Sequence, residues 1–597
     1  MNGFRVIRLY VLNPLRHRGI ICERGVAMEY FLIAAGIVIL VLFCQRFVKK
    51  QNREHQLNDR FGVCPNKLDH ANLQSVSKYW DAKRDAVPKP EALDALTWND
   101  LDMDGVFHRI NMCSSSVGEA YLYALLHEPT TDLAVLAKRE ALLQRLEGSP
   151  TLRKKLQAAL LTAGKRENNG MESFLFAAET KGIWNVWRYR IQAIIPLLCF
   201  GAMVFSLPLG GLLLIASAFA NGLTYMRKQW RIENELNAIK YLSAILRCSR
   251  KVQAISDEAL EPYITALKES VKPFRFVTNR VLQMTMDADI DWNFILEYFK
   301  LLFMYDFLRF NKIVRLIRKH TDDLRRVWDT LGELDAMISV LSFRQSLVVR
   351  AVPKWTEEAT VEMKEVYHPL ITGAVRNSLA LSRNCFVTGS NASGKSTFIK
   401  SVAINAILAQ TIHTCTARVY HAMPCRVLTS MAVKDDVVEG DSYFIAEIKS
   451  LKRVMDAVSG KTRCLCFIDE ILKGTNTVER IAASAAIANN LCGQNCLCMV
   501  ATHDIELPQL MGEQFMNVHF SETVTDDGIA FSYMIQEGVS QTRNAIKLLD
   551  FMDFDKTIVT DAEDMVQWYT DNRQWKNLHH AAGEPIQEDE HVQACGD

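Results

Sequence analysis

One stretch of the chain, Cys385–Thr397, constrains the fold more than any other. A short apolar segment that predicts a strand leads into the spacing Gly-x-x-x-x-Gly-Lys-Ser-Thr, and a helical pattern follows. Gly389 and Gly394 allow a tight turn that points backbone N–H groups at phosphate oxygens, and a helix beginning near Lys395 adds its positive dipole end. Lys395 can reach the β- and γ-phosphates, while the hydroxyl group of Ser396 suits Mg²⁺. The stretch predicts a phosphate-binding loop, against the alternative of an accidental glycine-rich turn; its nucleotide-binding residues are Gly389, Ser390, Asn391, Ala392, Ser393, Gly394, Lys395, Ser396 and Thr397.

Two later segments place acid–base groups where such a loop needs them. An apolar run that ends in Asp469 and Glu470 predicts a strand with two acids at its carboxyl end. We expect Asp469 to bind Mg²⁺, and Glu470 to orient or deprotonate the water that attacks the γ-phosphate. A second apolar run, Cys496–Ala501, brings His503 to the same sheet edge, where a histidine can sense the γ-phosphate; the alternative is a plain turn histidine. The predicted catalytic residues are Lys395, Glu470 and His503, and the predicted Mg²⁺ ligands are Ser396 and Asp469.

Four segments, taken together, resemble the MutS family of ATPases. The family's phosphate loop, middle segment, acidic strand and histidine segment are matched in order and at similar spacing by Thr388–Thr397, Asp435–Glu447, Asp469–Thr477 and Ala501–Leu507. The resemblance implies an α/β P-loop ATPase domain of the ABC type, preceded by an all-α core and lever region. It implies ATP and Mg²⁺ as cofactors, and a homodimer in which each active site borrows from its partner. Ser442, at the start of a helix, would then face the γ-phosphate of the other subunit.

The chain also departs from the mismatch-repair members of that family. Those members carry a Phe-x-Glu wedge in an N-terminal mismatch-reading domain, whereas Phe520-Ser521-Glu522 here falls inside the predicted ATPase domain. An aromatic residue that would stack on adenine just before Asn377 is absent, because Ala374 and Val375 stand there. Mismatch reading of the kind found in those proteins is therefore not expected.

Two apolar blocks interrupt the otherwise soluble pattern of the N-terminal half. Tyr30–Cys44 is free of charge and is followed by basic residues, which predicts a transmembrane anchor, with a buried core helix as the alternative. Ile191–Met226 has a Pro/Gly turn in its middle and arginines at both ends, which predicts two spans; a re-entrant or amphipathic hairpin and a buried helical pair stay open. The predicted organisation is a basic extension (1–27), a transmembrane anchor (28–50), a juxtamembrane linker (51–109), a helical core and lever region (110–350) interrupted by a hydrophobic hairpin (191–226), an ATPase domain (351–565) and a C-terminal tail (566–597).

The charge of the chain gives no global sign of nucleic-acid binding, since its formal net charge is +1. Any such surface must be local, and Arg309, Lys312, Arg315 and Lys319 recur on one predicted helical face that could meet DNA phosphates or anionic lipid. The alternative is an ordinary solvated helix face. Fifteen cysteines without framework spacing, beside a nucleotide site, indicate a reducing compartment.

These observations predict a dimeric, multi-pass ATPase of the cell membrane with its ATPase domain in the cytoplasm. Its ATP cycle would move helical arms that contact DNA through the phosphate backbone, in DNA repair or recombination. The alternative is a membrane-bound scaffold or sensor that uses ATP and does not bind nucleic acid. Steep salt dependence of DNA binding would distinguish the two.

Overall fold

The computed structural model of the 597-residue chain describes residues 61–65, 73–176, 186–229, 233–275, 301–390, 393–431, 443–473, 475–525, 528–540 and 545–575. The chain divides into two compact units. A helical unit extends to Pro353 and also takes in Asn405–Thr416, while a sheet-containing unit comprises Lys354–Ile404 and the chain from Ala417 onward. The predicted basic extension and transmembrane anchor, residues 1–50, lie outside the described residues, as do Asn391, Ala392 and Ser442.

Short polar side chains begin several helices of the helical unit. The carboxylate of Asp94 accepts a hydrogen bond from the backbone N–H of Thr97, and the hydroxyl of Ser115 accepts one from Gly118. Such caps satisfy N–H groups that have no partner within the helix. The helices are α1 (Leu73–Ala86), α2 (Ala95–Asp100), α3 (Met103–Ile110), α4 (Ser116–His127), α5 (Leu133–Gly148), α6 (Pro150–Leu160), α7 (Met171–Leu175), α8 (Val186–Met203), α9 (Leu207–Gln229), α10 (Glu233–Gln253), α11 (Glu261–Val271), α12 (Tyr305–Lys319) and α13 (Thr321–Ser346).

Helix α13 forms the centre of the helical unit, and α4 packs closely against it. A Cβ atom at Gly332 would come within 2.5 Å of the Tyr121 Cβ, and one at Gly118 within 2.3 Å of the Asp335 carboxylate. Both positions must therefore lack a side chain for the two helices to approach. The Asp335 carboxylate is fully buried and accepts hydrogen bonds from the backbone and hydroxyl of Ser115. Burial raises its pKa to about 6.

The segment predicted as a juxtamembrane linker, 51–109, contains helices in its described part. Helices α1, α2 and α3 lie in it, and they bury Tyr79, Trp80 and Trp98. The ring of Tyr79 stacks on that of Trp328 in α13, with 5.5 Å between ring centroids. Each of these helices buries only one face, so its sequence reads as polar overall, and the helical unit begins well before residue 110.

A buried ion pair joins α5 and α13 within the helical unit. The guanidinium of Arg344 donates to both oxygens of Glu140, at 3.2 and 2.6 Å, and to the Thr414 hydroxyl at 2.7 Å. We expect Arg344→Met to lower the free energy of unfolding by about 3–5 kcal/mol, because it leaves the Glu140 carboxylate buried without its charged partner. Urea denaturation of the purified chain, followed by circular dichroism, measures the change.

The matched control is Arg350→Met. Arg350 forms an ion pair with Glu147 at 2.6 Å, but both side chains are about one-third exposed. An exposed pair of this kind contributes about 1 kcal/mol or less. Equal losses in the two variants would contradict the role assigned to the buried pair.

Helices α8 and α9 form an antiparallel hairpin that corresponds to the predicted apolar block 191–226. Large apolar side chains are exposed along both helices and at the turn between them, with Phe205 93% exposed. Among the described residues one helix, over Leu207–Arg227, is long and apolar enough to cross a membrane by length and composition.

The sheet-containing unit has two sheets whose strand orders are β1-β5-β2-β3 and β10-β9-β4-β8-β7-β6. In the larger sheet β9, β4, β8, β7 and β6 run parallel, and β10 is antiparallel to β9. The strands are β1 (Lys354–Trp355), β2 (Val361–Val366), β3 (Asn377–Leu381), β4 (Cys385–Thr388), β5 (Val419–Ala422), β6 (Arg426–Ser430), β7 (Cys464–Asp469), β8 (Cys496–Ala501), β9 (Met516–Thr525) and β10 (Gly528–Glu537). The helices are α14 (Lys395–Thr411), α15 (Tyr443–Val458), α16 (Thr477–Cys492), α17 (Glu506–Met511), α18 (Ala545–Phe551) and α19 (Lys556–Asn572).

The central strands of the larger sheet are apolar on both faces. All four residues of β4 are buried, and so are the first five of β7. This is the pattern of parallel strands covered on both sides. Because the strands are parallel, β4, β7 and β8 end at one edge of the sheet, and the loops that follow them meet there. Helix α19 runs past residue 565, so the predicted boundary between ATPase domain and tail falls inside a helix.

Candidate nucleotide site

A cavity of about 630 Å³ lies at the edge where β4, β7 and β8 end. Gly394 and Lys395 line it from the loop after β4, Asp469 and Glu470 from the end of β7, and His503 from the segment after β8. The structure therefore brings together the predicted groups from all three strand ends. Ser390, Ser393, Ser396 and Thr397 also line the cavity.

The glycine loop has a backbone that only glycine fits. Gly389 and Gly394 have φ values of +139° and +106°, a region that other residues rarely adopt. A Cβ atom at Gly389 would lie 2.6 Å from the carbonyl oxygen of Phe520, so the loop lies directly against β9. The hydroxyl group of Ser393 is buried, lines the cavity and has no hydrogen-bond partner among the described residues. An orphaned hydroxyl of this kind is satisfied when an acceptor such as a phosphate oxygen enters.

Lys395 is the first residue of α14 and is only 5% exposed. Its Nζ donates to the carbonyl oxygens of Gly389 and Ser390, at 2.7 and 2.8 Å. The ammonium group thus folds back on the loop, a short rotation from the cavity. Burial lowers its pKa to about 8, although the nearby carboxylates of Glu470 and Asp469 act in the opposite direction.

This lowered pKa predicts how nucleotide affinity depends on pH. Phosphate oxygens favour the charged ammonium, so binding takes up a proton once Lys395 is neutral in the free protein. Affinity should be insensitive to this group below pH 8 and should fall by up to about tenfold per pH unit above it. Isothermal titration calorimetry between pH 7 and 10 measures the slope. The Lys395→Arg variant is the control, since a guanidinium stays charged and should remove the slope; an unchanged slope in that variant would assign the titration to another group.

Glu470 has two basic partners. Its Oε1 lies 3.0 Å from Nε2 of His503, and its Oε2 lies 3.3 Å from Nζ of Lys473. Burial raises the pKa of Glu470, but His503 and Lys473 outweigh that effect and hold it below its usual value. The side chain is therefore an ionised carboxylate at neutral pH, which is the form that accepts a proton from water.

His503 lies between the lysine and the acid. Its Nε2 is 3.3 Å from Nζ of Lys395 and 3.0 Å from Oε1 of Glu470. With a proton on Nε2 it donates to Glu470; without one it accepts from Lys395. When Lys395 turns toward a ligand, the imidazole ring loses its contact with Nζ and keeps its contact with Glu470.

Ser396 and Asp469 supply the oxygen atoms that suit Mg²⁺, and both line the cavity. No group of three or more His, Cys, Asp or Glu residues is placed to hold a metal ion in the part of the chain that the structure describes. Mg²⁺ keeps water ligands and binds phosphate oxygens, so two protein oxygens fit a metal that arrives with a nucleotide.

Tyr533 is a site residue that the sequence analysis missed. It lines the cavity together with Val375 and Gly394, and so places one aromatic ring at the nucleotide site. Its φ of +53° falls where the register of β10 with β9 shifts. The side chain of Asn377 holds this irregular segment, since it donates to the Tyr533 carbonyl at 2.9 Å and accepts from the Ile535 N–H at 2.9 Å. Tyr533 is distant in sequence from Asn377, so the residues next to Asn377 give no sign of this ring.

Glu522 is a second missed residue. Its carboxylate, 7% exposed, accepts a hydrogen bond from the Ser390 hydroxyl at 2.8 Å and fixes the side of the loop that faces β9. In the sequence it belongs to the Phe-x-Glu match, which the structure places inside β9. This glutamate is therefore a support of the glycine loop.

Residues 385–569 match the family model described as MutS domain V. That domain is the ATPase domain of MutS proteins. The match begins with the first residue of β4, ends within α19, and includes the ends of β4, β7 and β8.

Proposed function

We propose that this chain, whose residues 385–569 match MutS domain V, binds and hydrolyses ATP in the cavity at the ends of β4, β7 and β8. The observation that carries this proposal is the position of Nε2 of His503, which lies 3.3 Å from Nζ of Lys395 and 3.0 Å from Oε1 of Glu470 in this cavity. The fold around them is proposed to be a P-loop ATPase fold, since a glycine loop joins a buried parallel strand to a helix.

In this proposal the side chains of the chain itself divide the work. Lys395 leaves the loop carbonyls and binds phosphate oxygens, while Ser396 and Asp469 hold Mg²⁺. The ion held by these two residues would neutralise the charge that develops on the phosphates. Glu470 orients the attacking water and accepts its proton, and His503 lies next to Glu470, where it can sense the γ-phosphate. The ring of Tyr533 packs against the adenine base of the nucleotide.

A composite site at a homodimer interface is the next part of the proposal. Ser442, which would reach the partner's γ-phosphate from a helix N-terminus, lies outside the described residues, but the helix that follows it, α15, begins at Tyr443. A helix N-terminus favours an anion. ATP-driven closure of two copies would then move the helical arms. Light scattering of the detergent-solubilised chain, with and without ATP, tests for the dimer.

We propose the DNA phosphate backbone as the ligand of these arms. On α12 the side chains of Lys312, Arg315, Arg318 and Lys319 are exposed, which gives a local cationic face on a chain of nearly zero net charge. The second candidate is a membrane scaffold or sensor without nucleic acid, and it is favoured by the exposed apolar hairpin. In both cases we propose a cell-membrane protein with its ATPase domain in the cytoplasm, held by the hairpin and by the predicted anchor at 28–50.

One assay separates these functions. ATP hydrolysis by the detergent-solubilised chain is measured alone and with homoduplex, mismatched or branched DNA at several salt concentrations. Stimulation that falls steeply with salt supports DNA binding. The double change Arg315→Glu and Lys319→Glu should remove the stimulation, while Lys154→Glu and Lys155→Glu on α6, with the same change of charge, should not. Hydrolysis without any response to DNA would favour the scaffold.

A further inference from the structure

We propose that the α8–α9 hairpin is a re-entrant membrane element, which enters the bilayer from the side that holds both its ends and whose tip stops inside the hydrocarbon. The occupant of its apolar surface is lipid. This inference rests on the membrane residence proposed above and adds to it the depth and the topology of the hairpin. Four features of the described residues carry it: length, exposure, the tip, and the charge at the base.

Two contacts, one at the base and one near the tip, define the length of the hairpin. At its base the rings of Tyr189 in α8 and Tyr225 in α9 both contact Phe307, with centroid distances of 5.2 and 5.3 Å. Near its tip the helices touch at Met203 and Gly210, since a Cβ atom at Gly210 would lie 2.6 Å from the backbone nitrogen of Met203.

Between these two points the arms are equal in length and too short to cross a bilayer. Fourteen residues of rise separate Tyr189 from Met203, and fifteen separate Gly210 from Tyr225. At about 1.5 Å per residue these two stretches are about 21 and 22 Å long, and α9 measured from its first residue, Leu207, to Tyr225 is about 27 Å long. The hydrocarbon core of a bilayer is about 30 Å thick, so a hairpin seated at its aromatic base ends short of the far side. Helix α9 alone passes the length test for a span, but its partner α8 limits the depth of the pair.

In a water-soluble helix pair the exposed side chains are mostly polar, whereas in this hairpin they are mostly apolar. The outward side chains are large and apolar, among them Leu198, Leu212, Ile215 and Phe219, each about two-thirds exposed or more. Such a surface, apolar on its outer faces, suits lipid.

A group of polar side chains close to the base of the hairpin forms hydrogen bonds between its two helices. Asn221 is 2% exposed and donates to the carbonyl oxygens of Gln192 and Leu302, at 3.1 and 2.7 Å. Gln192 in turn donates to the Thr224 hydroxyl at 3.2 Å. The bonds of Asn221 to the other helix and to Leu302 hold its side chain away from the outer faces of the hairpin, which is compatible with lipid there.

The tip is built to remain in hydrocarbon. Val204, Phe205 and Leu207 are 84%, 93% and 70% exposed, and no charged residue lies between Ile191 and Met226. A tip that emerged into water on the far side would expose these side chains to it. Backbone groups at the turn are bonded locally: the N–H groups of Phe205 and Ser206 both donate to the Ala202 carbonyl, and Gly210 donates to Ser206. Pro208 has no N–H group, so the turn leaves few donors to satisfy in lipid.

The base of the hairpin carries the charge that lipid headgroups require. Arg188 and Arg190 flank Tyr189, and Arg227 lies two residues beyond Tyr225; all three arginines are exposed. The guanidinium of Arg190 lies 4.9 Å from the ring centroid of Trp187, an aromatic residue at the same level. Cationic and aromatic side chains at one level mark the boundary between hydrocarbon and headgroups. This charge favours a phospholipid surface over an apolar protein partner as the occupant.

The test uses the full chain reconstituted into liposomes that contain anionic phospholipid. A Phe205→Cys variant is treated with a membrane-impermeant maleimide from outside, or from inside after loading. Labelling of the introduced thiol is read by peptide mass mapping, which separates it from the native cysteines. We expect this thiol to be protected on both sides until detergent is added. Val348→Cys, at a position that is 87% exposed in the native chain, is the matched control and should label from one side only. Leu209→Cys repeats the test at a second tip position.

The outcomes are distinct. Labelling of the Phe205→Cys variant from the side opposite to that of Val348→Cys would show a full span and overturn the re-entrant topology, while leaving membrane residence intact. Labelling of both variants from the same side would show a hairpin that lies outside the bilayer. A Phe205→Trp variant is also tested for fluorescence quenching by lipids that are brominated deep in their chains. If the Phe205→Cys thiol is protected but the tryptophan is not quenched, the apolar surface is covered by a second copy of the chain and not by lipid. ATP hydrolysis by Phe205→Cys in detergent should equal that of the unmodified chain, so failure of the hairpin model is separable from failure of the ATPase model. If the unmodified chain were not retained in liposomes at all, membrane residence itself would be wrong.

Discussion

Replacing Lys395 with alanine should abolish ATP binding. The Nζ of Lys395 is the buried cation of the cavity, and it is held by two loop carbonyls at 2.7 and 2.8 Å that it can exchange for phosphate oxygens. A charge-assisted hydrogen bond is worth about 1.5–3 kcal/mol, so loss of two predicts an affinity at least about a hundredfold lower. Equilibrium binding of a fluorescent ATP analogue to the detergent-solubilised protein measures the loss.

The matched control for Lys395→Ala is Lys452→Ala. The Lys452 side chain is 69% exposed and pairs with Asp456 on the surface of α15, so its removal subtracts the same charge from the chain without touching the cavity. The two variants should differ in affinity and agree in thermal stability to within a few degrees. Unchanged ATP affinity in the Lys395→Ala variant would show that the glycine loop does not bind the nucleotide.

The second large effect is expected for Glu470→Ala, which should bind ATP and hydrolyse it poorly. The Glu470 carboxylate is ionised and lies beside His503, so its loss removes the proton acceptor and leaves the phosphate-binding groups in place. General-base catalysis contributes about a hundredfold to ten-thousandfold in rate, and the rate of hydrolysis should fall by that factor. Single-turnover phosphate release and ATP affinity are measured on the same preparation.

Glu513→Ala serves as the control for Glu470→Ala. Glu513 is exposed in the segment after α17 and does not line the cavity. It should bind and hydrolyse ATP as the unmodified protein does. A Glu470→Ala protein that hydrolysed ATP at the normal rate would transfer the role of base to another group.

The glycine loop and the acids of β7 could be predicted from sequence because their geometry is local. A strand, a loop of fixed length and a helix fix the positions of Gly389, Gly394 and Lys395 with little help from the rest of the chain. Asp469 and Glu470 follow directly on an apolar run, and parallel strands end at one edge, so their approach to the loop follows from the pattern as well. The match of residues 385–569 to MutS domain V confirms the family resemblance.

Tyr533 and Glu522 could not be predicted because long-range pairing brings them to the site. Both lie on the β9–β10 hairpin, and they reach the loop only because β9 pairs in parallel with β4 and because Asn377 holds the irregular part of β10. Nothing in the local sequence of Tyr533 marks it as a nucleotide contact. A positive φ at a tyrosine is visible only in the structure.

The buried aromatic residues of the segment 51–109 could not be predicted, for a different reason. Tyr79, Trp80 and Trp98 are buried, but they are few among charged neighbours, and the helices that carry them are short or strongly polar. Their burial depends on α4 and α13, which are distant in sequence. The hairpin, by contrast, could be predicted from composition, whereas its arm length depends on the contact between Met203 and Gly210, which the sequence does not indicate.

The central claim is that this cavity hydrolyses ATP, and single-turnover conversion of radiolabelled ATP tests it most directly. The unmodified protein and Lys395→Ala are purified in parallel in the same detergent and mixed with a sub-stoichiometric amount of ATP and excess Mg²⁺. We predict conversion to ADP and phosphate by the unmodified protein and none by the variant, and no conversion by either when Mg²⁺ is removed. Equal conversion by the two proteins would contradict the account.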